Sequence, residues 1–239
     1  IELFLRAFYP QNLSGSWRVI DNNGLIMNKS KGESIQMYGA RKAKYSFEDF
    51  GVRSSYKPTK DPKKKVLVLG DSFTFGWLLN IEDTFVELLA KNNDDMIFLN
   101  AAAGGWGASD YTAYMETYCK KVKPDTALIV MNGSDINRML VSSLYNFDIK
   151  SNSVHRSVYI QSAKDRLKSF LNNFSLYQML LENLHLLQLV RSSYLASLSP
   201  EIEENSVTFG LMSTENLKYS NQFSAALFQY LNRISKDCG

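Results

Sequence analysis

The stretch Val68-Leu69-Gly70-Asp71-Ser72-Phe73-Thr74-Phe75-Gly76 is the part of the sequence best suited to chemistry. Val66 to Leu69 is an unbroken apolar run, as expected for a strand buried on both faces, and it ends in Gly-Asp-Ser. In an open α/β sheet, ligands bind at the carboxyl ends of the strands. A serine at that point, flanked by Gly70 and Gly76, can project its hydroxyl into the crevice as a nucleophile. Its own backbone N–H can face a developing oxyanion. The same residues also fit a strand-to-helix turn with Asp71 or Ser72 as the N-cap. A phosphate-cradling loop fits poorly: it needs G-x-x-x-x-G-K-[ST], whereas five residues separate Gly70 from Gly76 and Trp77 follows where Lys would stand.

The surrounding pattern is that of elements able to hold such a site. Residues 1–62 read as an extended N-terminal arm of short strands and loops, ending in the turn-rich Lys57-Pro58-Thr59-Lys60-Asp61-Pro62. Residues 63–138 read as an α/β core. The lysine run at 63–65 is a solvated strand entrance, and a helix over 84–92 carries Phe85, Leu88, Leu89 and Asn92 at helical spacing. Met96–Leu99 forms a second strand, 108–122 a second helix and Thr126–Met131 a third strand. Alternation of strands and helices predicts a parallel sheet. Residues 139–210 read as a mainly helical insertion or cap, Leu-rich over 157–198. Residues 211–239 read as a return helix of the core, with Leu217, Phe223, Leu227, Leu231 and Ile234 on one side.

Composition narrows the class. The 239 residues are 45% hydrophobic and 21% charged, as in an ordinary globular chain, which excludes disorder, collagen and coiled coil. Lys and Arg number 27 against 24 Asp and Glu, and a net charge of +3 gives no argument for nucleic acid. The two cysteines, Cys119 and Cys238, cannot make a disulfide framework or, with the histidines present, a zinc site. A single bridge between them requires Cα atoms within about 7 Å. The longest apolar stretch, Met179 to Val190, contains Glu182, Asn183, His185 and Gln188 and is too short and polar to span a bilayer. No cofactor motif is present.

Three segments on three successive strand ends carry a resemblance. Gly70-Asp71-Ser72, then Asn100-Ala101-Ala102-Ala103-Gly104-Gly105-Trp106-Gly107, then Asn132-Gly133-Ser134-Asp135 resemble the first three signature blocks of the SGNH (GDSL-type) esterases and acyl-transfer enzymes. The preamble ending in Phe50-Gly51-Val52-Arg53 is similar to the lead-in of exported or membrane-anchored bacterial members. The likeness covers residues 45–138 well and the rest loosely. It implies a flavodoxin-like three-layer α/β/α fold with a parallel sheet. It also implies Ser72 as nucleophile, an oxyanion hole from the N–H groups of Ser72 and Gly105 with Asn132 or Ser134 as a third donor, and Asp71 and Asp135 as supporting residues. Trp106 is then either an aromatic wall for an acyl group or sugar ring, or core; Phe75 and Trp77 are expected in the core.

Two departures from the family pattern bear on activity. Ser134 stands where the family has the Asn that completes the oxyanion hole, and Asn132 where it has Gly. Loss of one such donor typically costs roughly 10²–10³ in rate. The family's last block, Asp-x-x-His, supplies the general base; this sequence has only His155 and His185, preceded at three residues by Asn152 and Glu182. Both histidines are expected to be ordinary surface or packing residues. The resemblance therefore implies that the chain continues past Gly239 to that block. The expected activity is hydrolysis of small acyl esters such as acetyl, on a small ester or an acylated carbohydrate. The alternatives are O-acyl transfer to a polysaccharide and a non-catalytic binding module lacking the base. No cofactor, metal or nucleic acid is expected, and membrane contact only through an N-terminal anchor that would precede Ile1. A periplasmic or extracellular location is favoured over a cytoplasmic one.

Overall fold

The computed structural model describes residues 1–8, 17–38, 41–53, 64–171, 174–177, 179–180, 184 and 214–238. The chain divides into one unit of residues 17–161 with 219–239 and another of residues 1–16 with 162–218. In the latter, Glu2–Phe8 forms helix α1, where the sequence suggested strands and loops. Leu, Arg, Ala and Glu are strong helix formers, and this short stretch has no β-branched residue.

The larger unit begins with two antiparallel hairpins. The first pairs β1 (Arg18–Ile20) with β2 (Ile26–Asn28), and the Asp21 carboxylate accepts from the Asn23 and Leu25 N–H groups in the turn. The second pairs β3 (Gly32–Tyr38) with β4 (Arg41–Phe47). Its Ala43, Tyr45 and Phe47 alternate inward and pack on Trp17, Phe75 and Ala102. The central strand β5 (Lys64–Gly70) follows, then the short helix α2 (Ser72–Phe75) and α3 (Phe85–Lys91). After these come β6 (Met96–Asn100), α4 (Ala108–Val122), β7 (Thr126–Val130) and α5 (Ser134–Val141). The three strands form a parallel sheet in the order β6-β5-β7.

The unbroken apolar run of β5 has its physical reason in this sheet. Leu67 and Leu69 point into a core with Tyr111, Tyr114 and Met115 of α4, whereas Val66 and Val68 point to the other face, against Val86 and Ala90 of α3 and Phe98 of β6. The sheet is thus flanked by helices. Helix α3 starts at the Thr84 N-cap, close to the expected position, but it turns Val86 and Ala90 inward and leaves Phe85, Leu88 and Leu89 partly exposed. Apolar residues occur on both sides of this helix, and the smaller pair permits the closer approach to the sheet.

Residues 139–210 are not mainly helical where they are described. A third hairpin, β8 (Tyr145–Asp148) with β9 (Ser153–Arg156), occupies the start, and α6 (Ala163–Leu171) follows. The helical reading over 157–198 holds at 163–171, 175–177, 179–180 and 184, and the rest of it from 185 on, with His185, lies outside the described residues. Helix α7 (Thr214–Lys236) forms as expected, and its Phe223, Leu227 and Leu231 enter the core with Leu67 and Leu69. Beyond it, Cys238 is disulfide-bonded to Cys119 of α4, with Cα atoms 5.7 Å apart. Among the described residues no helix is long and apolar enough to cross a membrane.

Candidate active site

The first turn after β5 is an Asp-capped helix. Asp71 is buried, and its Oδ1 accepts from the Phe73 N–H at 2.9 Å, so the capping role is real. Ser72 is then the first helical residue and lies half-buried. Among the described residues neither its hydroxyl nor its N–H is engaged in a hydrogen bond, as expected for a donor in the first turn of a helix. Capping and presentation of the serine are therefore one arrangement: Asp71 fixes the turn and leaves Ser72 free.

The second strand end reaches the same place. Ala103 N–H donates to the Gly70 carbonyl at 3.2 Å, and a Cβ placed on Gly104 would sit 3.9 Å from the Ser72 Cβ. Gly105 follows, exposed and in the left-handed region at φ +81°, which a side-chain-bearing residue rarely adopts. The N–H groups of Gly104 and Gly105 are both unengaged among the described residues. Gly107 closes the segment against α5: a Cβ there would lie 2.5 Å from the Asp135 carbonyl oxygen. Trp106 is fully buried and its Nε1–H donates to the Ile26 carbonyl. It is core, not an exposed wall.

The third strand end contributes Asn132, Ser134 and Asp135. The Asn132 amide nitrogen donates to Asp71 Oδ2 at 2.7 Å, and its amide oxygen accepts from both the N–H and the hydroxyl of Ser134. Ser134 thereby commits its single hydroxyl proton, while Asn132 retains a second amide hydrogen. Asp135 is fully buried; its Oδ2 accepts from the Asn132 N–H at 2.9 Å and from the Tyr111 hydroxyl at 2.7 Å. Burial, and then this bond to Asp135, pushes the Tyr111 hydroxyl well above its ordinary pKa and keeps it a donor.

Arg138, in α5, ties the three ends together, and sequence reasoning missed it. Its Nη1 donates to Asp71 Oδ2 at 2.9 Å, Asp135 Oδ1 at 3.0 Å and the Trp106 carbonyl at 3.1 Å. Each acceptor belongs to a different strand end. The hydrogen bond to Asp71, followed by the charges of both carboxylates, raises the Arg138 pKa and holds the guanidinium charged. Its only trace in the sequence is an arginine three residues after Asp135, one helical turn on.

A second arginine, this one buried, organises the far side of the serine turn. Arg53 donates to the carbonyls of Phe75 (2.6 Å), Gly76 (3.1 Å) and Leu79 (2.6 Å), and stacks on the rings of Tyr45 and Phe75. Burial lowers its pKa to about 10. These bonds, with Leu78 N–H donating to the Tyr45 hydroxyl, hold a loop in which Leu78 has φ +60°. Phe75 is core as expected. Trp77 is not: it stands 44% exposed, with its ring 5.7 Å from that of Tyr38.

No imidazole is bonded to Ser72 among the described residues. His155 lies exposed on β9, with Nε2 2.8 Å from Ser153 Oγ. Among the described residues no group of three His, Cys, Asp or Glu side chains could hold a metal ion. Comparison of the chain with family models, curated proteins and solved structures returned no match.

Proposed function

We propose that this chain is an SGNH (GDSL-type) ester-processing enzyme, in which Ser72 forms an acyl-enzyme with a small acyl ester such as an acetylated carbohydrate. One observation carries the reading: three ends of one parallel sheet converge on an unengaged serine hydroxyl beside unengaged N–H groups of Ser72, Gly104 and Gly105. In the attack, Ser72 Oγ bonds to the carbonyl carbon as its proton passes to a base, and the carbonyl π electrons move onto oxygen. That oxyanion would be held by the free N–H groups, with the remaining amide hydrogen of Asn132 as a further donor. Collapse expels the alcohol, which takes up a proton, and water or a sugar hydroxyl then attacks the ester in turn. Trp77 with Tyr38, not Trp106, offers the aromatic surface on which a sugar ring or acyl group would rest.

The finer fold reading belongs to the same proposal. Order β6-β5-β7 is the 2-1-3 start of a flavodoxin-like sheet, and α3 on one face with α4 and α7 on the other supports three layers. The Cys119–Cys238 bridge supports an oxidising, extracytoplasmic location.

A second reading has its own observation. Ser72 has no hydrogen-bonded base among the described residues, which favours a binding module that keeps the crevice without the chemistry. Intact-mass measurement after incubation with a fluorophosphonate separates the two. Displacement of fluoride by Ser72 Oγ, giving one phosphonyl adduct that Ser72→Ala abolishes, is expected for the enzyme. No adduct on folded protein overturns the enzyme in favour of the module. For an active protein, diversion of acyl groups from water by added sugars distinguishes transfer from hydrolysis.

A further inference from the structure

A cavity of about 480 Å³ opens between β9 and α7, and it shares no residue with the Ser72 crevice. From the hairpin side it is lined by Asn152, Ser153, His155 and Arg156, and from the helix side by Gln229 and Arg233 among others. Two guanidiniums and an imidazole face it, and no carboxylate is in the lining.

Hydrogen-bond accounting fixes the direction in which His155 is polarised. Ser151 Oγ donates its one proton to Asp148 Oδ2 at 2.6 Å. It must therefore accept from Ser153 Oγ, 2.7 Å away, and Ser153, its proton spent, must accept from His155 Nε2–H at 2.8 Å. His155 thus presents a protonated Nε2 at the head of a chain ending on a carboxylate. This arrangement turns a ring N–H, not a lone pair, toward Ser153, and so argues against a base acting on Ser153. Behind the cavity, Glu116 of α4 accepts from the hydroxyls of Tyr145 (2.7 Å) and Tyr230 (2.6 Å), tying the hairpin to the helix. Arg156 is held against the Tyr145 ring and the Asn23 carbonyl, and its buried Nη1 has no hydrogen-bond partner among the described residues. Arg233 stacks on the Tyr230 ring at 5.0 Å.

We propose that this cavity is a binding site for a phosphate-bearing ligand. Donors arriving from two opposed walls suit an anion with several oxygens in different directions, whereas a planar carboxylate would be satisfied by one guanidinium fork. The volume lies within the range of small-molecule sites and suits a phosphorylated unit of sugar size. The site does not depend on catalysis at Ser72.

Titration with inorganic phosphate against chloride at equal ionic strength, followed by the His155 ring resonances, tests it. Saturable shifts are expected, weakened at least tenfold in Arg233→Gln and unchanged in Ser72→Ala. Arg233 is an exposed helix residue, so its variant is expected to stay folded. Vesicles containing phosphatidylglycerol identify the source: competition by vesicles would assign a lipid headgroup, and phosphate binding without it a free phosphorylated molecule. Absence of saturable shifts, or shifts that survive intact in Arg233→Gln, would overturn the proposal.

Discussion

The strand-end crevice and the β9–α7 cavity use the same cation to opposite ends. In the crevice one guanidinium, Arg138, serves two buried carboxylates and a carbonyl, so the cation is fully paired and almost every polar group is committed. What stays uncommitted there is small and neutral: a hydroxyl and a few backbone N–H groups. In the cavity, Arg156 and Arg233 stand in the wall with no carboxylate among the lining residues to balance them. A paired cation builds a scaffold, whereas an unpaired one in a concave wall attracts a ligand. The first arrangement suits chemistry that needs fixed neutral donors, and the second suits binding of an anion.

The bridge between Cys119 and Cys238 is the strongest lever on this contrast, because it pins the chain just beyond α7, one wall of the cavity, to α4. Its loop spans 119 residues, and reduction is expected to lower the unfolding free energy by about 4 kcal/mol. Urea unfolding with and without dithiothreitol measures this; a loss below about 1 kcal/mol would show that packing alone holds α7. Arg138 comes next. Arg138→Met leaves Asp71 and Asp135 buried without their cation and is expected to cost about 3 kcal/mol in the same assay. Arg233→Gln, at an exposed unpaired site, should stay within about 0.5 kcal/mol of the parent. Equal costs for the two arginines would erase the distinction between scaffold and receptor.

How much of this was legible in the sequence follows from how local each signal is. The three strands, the helices at 108–122 and 214–236 and the Asp-capped serine turn are written in short periodic runs, and they form at or near the expected positions. The roles of Asn132 and Ser134 were left open in the sequence, since only the fold shows that Ser134 donates to Asn132. Arg138 went unremarked and Arg53 figured only as the end of the lead-in, because their partners lie far away in the chain, at separations of 67 residues for Arg138 to Asp71 and 22 for Arg53 to Phe75. The β8–β9 hairpin was hidden by the Leu-rich pattern that follows it. Trp77 was misplaced because an aromatic near a buried strand is usually core, and its exposure depends on a loop held by Arg53 and Tyr45.

Asp110 offers the most discriminating test of what pairing does. Like Asp71 it caps a helix: its Oδ2 accepts from the Gly107 N–H at 2.9 Å at the start of α4. Unlike Asp71 it has no cation within ion-pair distance among the described residues, and burial pushes its pKa up to about 6 against the opposing pull of Gly107 N–H, Arg156 and Arg18. An unfolded aspartate titrates near pH 3.9, so between about pH 4 and 6 the folded state binds the proton more tightly than the unfolded one. Stability is therefore greatest below about pH 4 in this contribution and falls as pH rises to about 6, by roughly 3 kcal/mol. Asp110→Asn keeps an oxygen to accept from Gly107 and removes the charge. Its unfolding free energy should lose that decline and exceed the parent's at pH 7. A variant that keeps the parent's slope would show that Arg18 and Arg156 already neutralise Asp110, and that Arg156 is not the unpaired cation on which the cavity depends.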